Sequence, residues 1–449
     1  MSENSEQKLS TIDALHEALE KDNRETAKKV IASLHPSEIA DILESVPSRE
    51  RGELWGLIDT KIEGDVLAHM QDAVRSEFLE HMQPDEVVDV TKDLEVDDVA
   101  DILQDLPEDI AGTILQSMDE QNRQRLSSIL TYPENTAGGL MNVDVVAIRA
   151  DVPLDVVARY LRLLGEIPEK TDNIMVVDRK NKYLGVLRLS DLLIREQETK
   201  VSQWMEEEPY VFVRTSTTEV AKIFEQRDLV SAAVVDENGF LLGRITVDDV
   251  VDVIQKEAEH AVRSMAGLSD EEIFSPIMVS TKSRAVWLGI NLVTAFLSAW
   301  VIGRFEDTIQ QLVALAVLMP VVAGMGGIAG SQTLTIAVRG IALGQIAKTN
   351  IKPLLIKELA IGILNGIFWS CIVAIIVILW FGQFSLGIII GASMIINLII
   401  AALAGATIPI ILKRYGIDPA IAGGVILTTV TDVVGFITFL GLATIFLLG

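Results

Sequence analysis

One stretch limits what this chain can become. From Ala420 to Leu448 it runs 29 residues with a single formal charge, Asp432. About 20 apolar residues in helical form cross a bilayer core, so the run is long enough to span. Asp432 lies twelve residues from one end and sixteen from the other, which puts a carboxylate near mid-membrane. Even a lenient insertion scale sets the cost of that at roughly 2.5–3.5 kcal/mol. A basic partner, water or an ion must offset it. The other apolar runs hold almost no basic residue, so an ion pair is poorly supplied. Thr428, Thr429 and Thr431 stand beside the acid, and two glycines open the segment GGVILTTVTDVVGF (423–436). A lone membrane carboxylate among hydroxyls and bare backbone predicts a cation pathway.

Charge divides the remainder of the chain. Residues 284–449 hold eight Lys+Arg and five Asp+Glu, whereas residues 1–283 hold 29 and 58. An acidic body carrying −29 is therefore joined to a membrane part carrying +3. Such acidity excludes nucleic acid, whose phosphates call for Lys and Arg, and it suits divalent cations. The single Cys371 rules out an intramolecular disulfide and a thiolate cluster. No signal peptide is apparent, so the first spans are expected to direct insertion.

Residues 1–130 read as a helical-repeat domain. LHPSEIADILESVP (34–47) returns as LEVDDVADILQDLP (94–107), with a weaker copy, MQPDEVVDV, at 82–90. Ser37, Asp85 and Asp97 are each expected to start a helix as an N-cap or first-turn acid. Residues 131–252 alternate strands and helices, and here a second repeat is sharper. NIMVVDRKNKYLGVLRLSDLL (173–193) matches SAAVVDENGFLLGRITVDDVV (231–251), aligning Gly185 with Gly243 and Asp191 with Asp249. Each copy reads strand, turn, strand, then an acid opening a helix. The glycine is expected where a side chain would crowd a neighbour. Two such copies resemble a CBS-domain pair, a module that senses ligands in its central cleft. The first copy has about seven extra residues around Leu163–Thr171. Residues 253–283 are expected to prolong the last helix as one amphipathic connector, with Glu257 and Glu259 opposite Val253, Ile254, Ala258 and Val262.

Residues 284–449 offer five candidate spans, at about 286–302, 309–338, 354–381, 386–412 and 420–448. Several exceed the minimum, so tilt or breaks are expected. Basic residues cluster before the first span, after the second (Arg339, Lys348, Lys352, Lys357) and after the fourth (Lys413, Arg414). That alternation places the N-terminus in the cytoplasm and the C-terminus, Gly449, outside. The second span contains PVVAGMGGIAGSQ (320–332), where Pro320 and four glycines interrupt or expose backbone. Among divalent cations, Mg2+ suits these donors best. It keeps its waters and takes oxygen, whereas a soft metal would want Cys or His, and the spans have one Cys and no His.

Taken together, the fold class is a multidomain membrane protein: an all-α helical-repeat N-terminal domain, an α/β CBS-domain pair, a long connecting helix and a five-span α-helical transmembrane domain. In that order, with TAGGLM (136–141), PVVAGMGGIAGSQ, Lys357–Glu358 and DPAIAGGVILTTVTDVVG (418–435), the whole chain resembles the MgtE family of magnesium channels. The resemblance implies a homodimer in a bacterial plasma (inner) membrane, with a pore between the two copies lined by the second and fifth spans. It implies that Asp432 holds hydrated Mg2+, with Gly424 and Thr428 facing the same path, and that the connector acts as a plug closing the pore at high cytosolic Mg2+. Regulatory Mg2+ is implied at Asp97, Asp101, Asp249, Asp252 and Glu257. Ser216, Thr217 and Thr218, and His260 and Ala261, stand where relatives carry acids, so inner metal sites are expected to be fewer or weaker. Ile328 and Ala329 replace polar residues of some members, which bears on selectivity. Ser190 stands where an Arg supports nucleotide binding, so a nucleotide at the CBS pair is left open. Alternatives are a broader Co2+ or Mn2+ transporter and a nucleotide-sensing CBS regulator anchored by its spans. The five histidines form no cluster and no nucleophile–base set or phosphate loop appears, so the chain is not expected to be an enzyme.

Overall fold

Repeated short amphipathic segments cannot each bury an apolar face alone, so they stack. The computed structural model describes residues 3–21, 23–168, 170–265, 267–268, 274 and 277–448. It forms two compact units, Met1–Ala258 with Glu272–Phe274, and Glu259–Glu271 with Ser275–Gly449. Each is described by itself.

In the first unit, ten short helices lie between Glu3 and Ile129. The repeat is visible in their packing. Ile39, Ile42, Leu43 and Val46 of one copy and Val99, Ile102, Leu103 and Leu106 of the other are all buried. Asp85 and Asp97 are first-turn acids as expected, whereas Ser37 lies inside its helix rather than at the cap. The helices run Pro36–Glu44, Pro84–Thr91 and Val96–Gln104, so Ser37, Asp85 and Asp97 sit in the first turn, and His35, Gln83 and Glu95 occupy the caps. Glu38 and Glu86 reach back to accept the His35 and Gln83 N–H groups at 2.8 and 2.9 Å, satisfying donors a helix start otherwise leaves bare. Two buried arginines tie helices together. Arg51 donates to the Leu43 and Val46 carbonyls at 2.9 and 3.1 Å, and Arg75 to Asp105 and Asp72 at 2.6 and 3.0 Å.

The two CBS copies are built alike. β1 (Ala147–Arg149) lies parallel to β2 (Asn173–Val177), which pairs antiparallel with β3 (Tyr183–Arg188); β4 (Tyr210–Phe212), β5 (Ser231–Val235) and β6 (Leu241–Thr246) repeat the pattern. Parallel neighbours need a crossover, supplied by helices Leu154–Leu164 and Thr217–Arg227. Both sheets carry a register shift at the same place, Val176/Val177 and Val234/Val235. The matched glycines are forced by close approach: a Cβ at Gly185 would lie 2.2 Å from the Glu206 carbonyl oxygen, and one at Gly243 2.7 Å from that of Asn142.

The connecting helix is shorter than expected. It runs Val247–Met265 and stops where Gly267 takes φ +70°. The Gly267 and Leu268 N–H groups return to the Ser264 and Arg263 carbonyls, both at 3.0 Å. That is the glycine-terminated helix end in which a left-handed residue caps the last carbonyls. Residues 266, 269–273, 275 and 276 of the expected connector lie outside the described residues, as does Gly449. Ser280 belongs to the next helix, Ile277–Gly303.

The second unit has five helices long and apolar enough to cross a membrane: Ser280–Gly303, Ala314–Ala342, Ile351–Phe381, Phe384–Arg414 and Pro419–Leu447. The fourth is the most buried and the first the least. A separate short helix, Glu306–Gln311, occupies what was read as the start of the second span. The expected break in the second span is absent: Ala314–Ala342 is one helix through Pro320 and all four glycines. Pro320 is only its seventh residue, so a single backbone bond near the helix start is forgone. Two of the glycines serve packing instead. A Cβ at Gly326 would meet Asn397 Nδ2 at 2.3 Å, and one at Gly330 would meet Leu427 at 2.9 Å.

Candidate functional site

The fifth span sorts its residues into two adjacent rows at i, i+4 spacing, the spacing that stacks side chains on one helix face. Gly423, Leu427, Thr431 and Gly435 are buried. Beside them, Gly424 and Asp432 are half-buried and Thr428 is exposed. So the structure puts the three sequence-selected pore residues on one face. Thr428 donates to the Gly424 carbonyl at 2.9 Å. Asp432 has no hydrogen bond or ion pair with any described residue, so the carboxylate remains available to a cation.

The second span runs antiparallel beside this helix. Leu334 lies against Gly423, Leu427 against Gly330, and Val322 against Gly435. Interpolating between those contacts sets Asp432 level with Gly324–Gly327. Gly324 and Gly327 have nothing within 4 Å of an added Cβ, so this layer has open backbone on one side and dense packing on the other. Asn397 of the fourth span fills the packed side. It is buried, donates Nδ2 to the Val322 carbonyl at 2.9 Å, and touches the sites where Gly326 and Gly435 lack side chains. Its Oδ1 finds no acceptor role in the structure. Sequence reading passed over Asn397, although an amide in an apolar 31-residue helix was a usable signal. A second carboxylate, Glu358, is also buried in this unit and accepts from Thr333 at 3.2 Å.

In the first unit the acids of helix Val96–Gln104 face those of helix Val247–Met265. Burial, then Asp249, Asp98 and Glu95, push Asp97 well above the ordinary carboxylate range. Burial raises Asp101 to about 7, against the opposing pull of Arg75 and Lys256. Burial and the Asp248 charge raise Asp249 to about 7 as well, and burial raises Asp252. Carboxylates so crowded gain from a cation. Two of them have local bonds: Asn142 Nδ2 donates to Asp97 at 3.1 Å, and the Thr246 N–H to Asp249 at 3.1 Å. Glu257 is not in this cluster; it accepts from Thr218 Oγ1 at 2.7 Å, one of the hydroxyl residues standing where acids were expected. Glu95, Asp98, Asp248 and Lys170 complete the cluster and were missed, because their meeting depends on segments about 150 residues apart in sequence.

Among the described residues no three His, Cys, Asp or Glu side chains are gathered to hold a metal ion directly. The cluster thus presents facing acidic surfaces rather than a ligand cage. A cleft of about 680 Å³ opens beside it, lined by six carboxylates and two permanent cations, Arg125 and Lys170. That balance suits a cation better than a polyphosphate. Ser190 is exposed on the first CBS copy.

Three family models match the chain. A divalent cation transporter family covers residues 319–442, an MgtE intracellular N domain covers 34–135, and the CBS domain covers 137–198 and 201–256. Among curated proteins, the chain is similar to the magnesium transporter MgtE of Bacillus subtilis, 32% identical over 338 residues, which are 74% of each chain. It is similar to that of Thermus thermophilus to the same degree, 32% over 336 residues and 74% of each. Among solved structures, the cytosolic domain of the Mg2+ channel MgtE in complex with ATP matches at 31% identity and TM-score 0.49, covering 54% of this chain and 99% of that one.

Proposed function

This chain belongs to the MgtE family of magnesium transporters, and from that premise we propose that it carries Mg2+ past Asp432 and is closed by Mg2+ held on its acidic cytosolic faces. The observation that carries the reading is the open face of the fifth span. There Gly424, Thr428 and Asp432 align, the carboxylate has no partner among the described residues, and bare glycine backbone of the second span lies at the same level. A hydrated Mg2+ ion needs oxygen acceptors around its waters and one charge to favour a dication; this face offers carboxylate, hydroxyl and carbonyl oxygen. Passing the ion with its waters avoids the cost of stripping them.

One copy leaves that face uncovered, and a second copy is what closes it into a pore. Apolar side chains left bare elsewhere support a homodimer: Leu163, Leu193 and Ile194 on the first CBS copy, and Val262 on the connecting helix, are all largely exposed. The N-terminal unit lies in the cytoplasm and the C-terminus outside, in a bacterial inner membrane. The chain works as a transporter and not as an enzyme. Asp97, Asp101, Asp249 and Asp252 supply the regulatory charge, with Glu257 at its edge. A ligand shifts a conformational equilibrium only through its differential affinity; Mg2+ between crowded carboxylates favours the compact arrangement, because only there do the acids repel one another. Low cytosolic Mg2+ then loosens the unit and opens the pore.

Asp432→Asn keeps the side chain's size and removes its charge. Mg2+ uptake in Mg2+-starved, transporter-deficient cells should fall to background while the protein still inserts and assembles. Uptake near that of the parent would refute the pore assignment. A Co2+ or Mn2+ flux matching that of Mg2+ in the parent would favour the broader divalent reading.

A further inference from the structure

The two CBS copies superimpose in strand order and register, yet only the first carries extra residues before its second strand. Those residues deliver a charge. Lys170 takes φ +53°, a left-handed conformation uncommon for a residue with a side chain. Its Nζ is ion-paired with Asp248 of the connecting helix. Glu95 and Asp249 are its next closest acidic influences, and it acts in turn on Asp98 and Asp252. Thr171, the next residue, accepts from buried Arg244 at 3.1 Å, which fixes the loop at that point. The ammonium therefore stands inside the cluster just assigned to a regulatory dication, on a segment the second copy lacks.

We propose that Lys170 is a tethered cation that fills one position in the Glu95–Asp98–Asp248–Asp249 cluster which a Mg2+ ion would otherwise take. The inference rests on the reading that Mg2+ holds the cytosolic acidic faces together. A loop-borne ammonium brings positive charge at no cost in free ion concentration, because its effective concentration is set by the chain. It is a strongly hydrated point charge with three donors, so it satisfies carboxylates much as a hydrated ion does. Lys256 acts similarly on neighbouring Asp72, at 3.2 Å, but from the helix itself rather than from an added loop. The compact arrangement of this chain thus needs fewer bound ions than its acid content suggests.

The test uses the full-length protein in nanodiscs. Mg2+ bound per chain is counted by equilibrium dialysis, and protection of Glu134 from a glutamate-specific protease is followed against Mg2+. Lys170→Gln should bind about one more Mg2+ per chain and require up to about fivefold more Mg2+ for half-protection, with a steeper curve, as loss of an exposed ion pair implies at the upper end of its range. Lys170→Arg should match the parent. Lys170→Gln combined with Asp248→Asn removes one charge of each sign and should return both readouts toward the parent. A Lys170→Gln protein with the parent's ion count and midpoint overturns the inference. A parent whose protection does not respond to Mg2+ overturns the regulatory reading beneath it, a different and separable outcome.

Discussion

Asp432 and Asp249 are both half-hidden carboxylates, and their surroundings are opposites. Asp432 stands alone in an apolar helix, without a partner among the described residues. Asp249 stands in a crowd, with Asp248 beside it and Asp98 within electrostatic reach. A lone carboxylate in a membrane keeps its charge useful only if an ion or water comes to it. A crowded one is a store of repulsion that an ion relieves. Under the proposed function, the same residue type supplies a path in one unit and a switch in the other. The membrane unit is held by glycine-mediated packing, as at Gly326 and Gly435 on Asn397, so its stability should not depend on Mg2+. The cytosolic unit balances like charges, so its stability should.

The largest expected difference is in pH. Asp101 and Asp249 hold protons up to about 7, above the free value of 3.8. A carboxyl whose folded value is raised binds its proton more tightly in the folded unit. Stability therefore falls as pH rises from about 4 to about 7 and levels off above that. Without Mg2+, the cytosolic unit should be more stable at pH 5 than at pH 8, by on the order of a few kcal/mol, and its thermal transition correspondingly higher. Mg2+ added at pH 8 should restore it, and Mg2+ added near pH 6 should release protons. A cytosolic transition insensitive to pH between 4 and 7 would break the comparison.

Packing gives the next effect, confined to the membrane unit. Gly326→Ala sets a methyl 2.3 Å from Asn397 Nδ2, and overpacking of that kind costs about 1–3 kcal/mol. Gly327→Ala meets nothing within 4 Å and should leave the melting temperature in detergent unchanged. Equal losses for both would mean the second span packs differently.

Much of this was legible in the sequence, for local reasons. Asp432 shows itself because one charge in 29 apolar residues has no neutral explanation. The CBS pair shows itself because Gly185 and Gly243 are required at matching places by close approach. Other features were hidden. Pro320 and its glycines look like a helix break, yet Gly326 and Gly330 are used for contact with Asn397 and Leu427, which no local pattern reveals. The connector's end at Gly267 was signalled by the glycine itself and overlooked in favour of continuing periodicity. Asp98, Asp248 and Lys170 are unremarkable surface residues in sequence; only the fold brings them together.

The smallest effect separates the expected regulatory residues from one another. Glu257 is bonded to Thr218, outside the cluster. Glu257→Gln should therefore move the Mg2+ needed for inhibition less than about twofold, within the range of an exposed pair, whereas Asp249→Asn should move it more. Equal shifts would extend the sensor to the far end of the helix.

Inside-out patch current against cytosolic Mg2+ tests the central claim most directly, with the parent compared with a protein carrying Asp97→Ala, Asp249→Ala and Asp252→Ala. The parent's current should fall steeply as cytosolic Mg2+ rises, and the triple variant's should lose that dependence while still requiring Asp432 to conduct. Superimposable inhibition curves would contradict the account, leaving these carboxylates as a solvated face and the switch elsewhere.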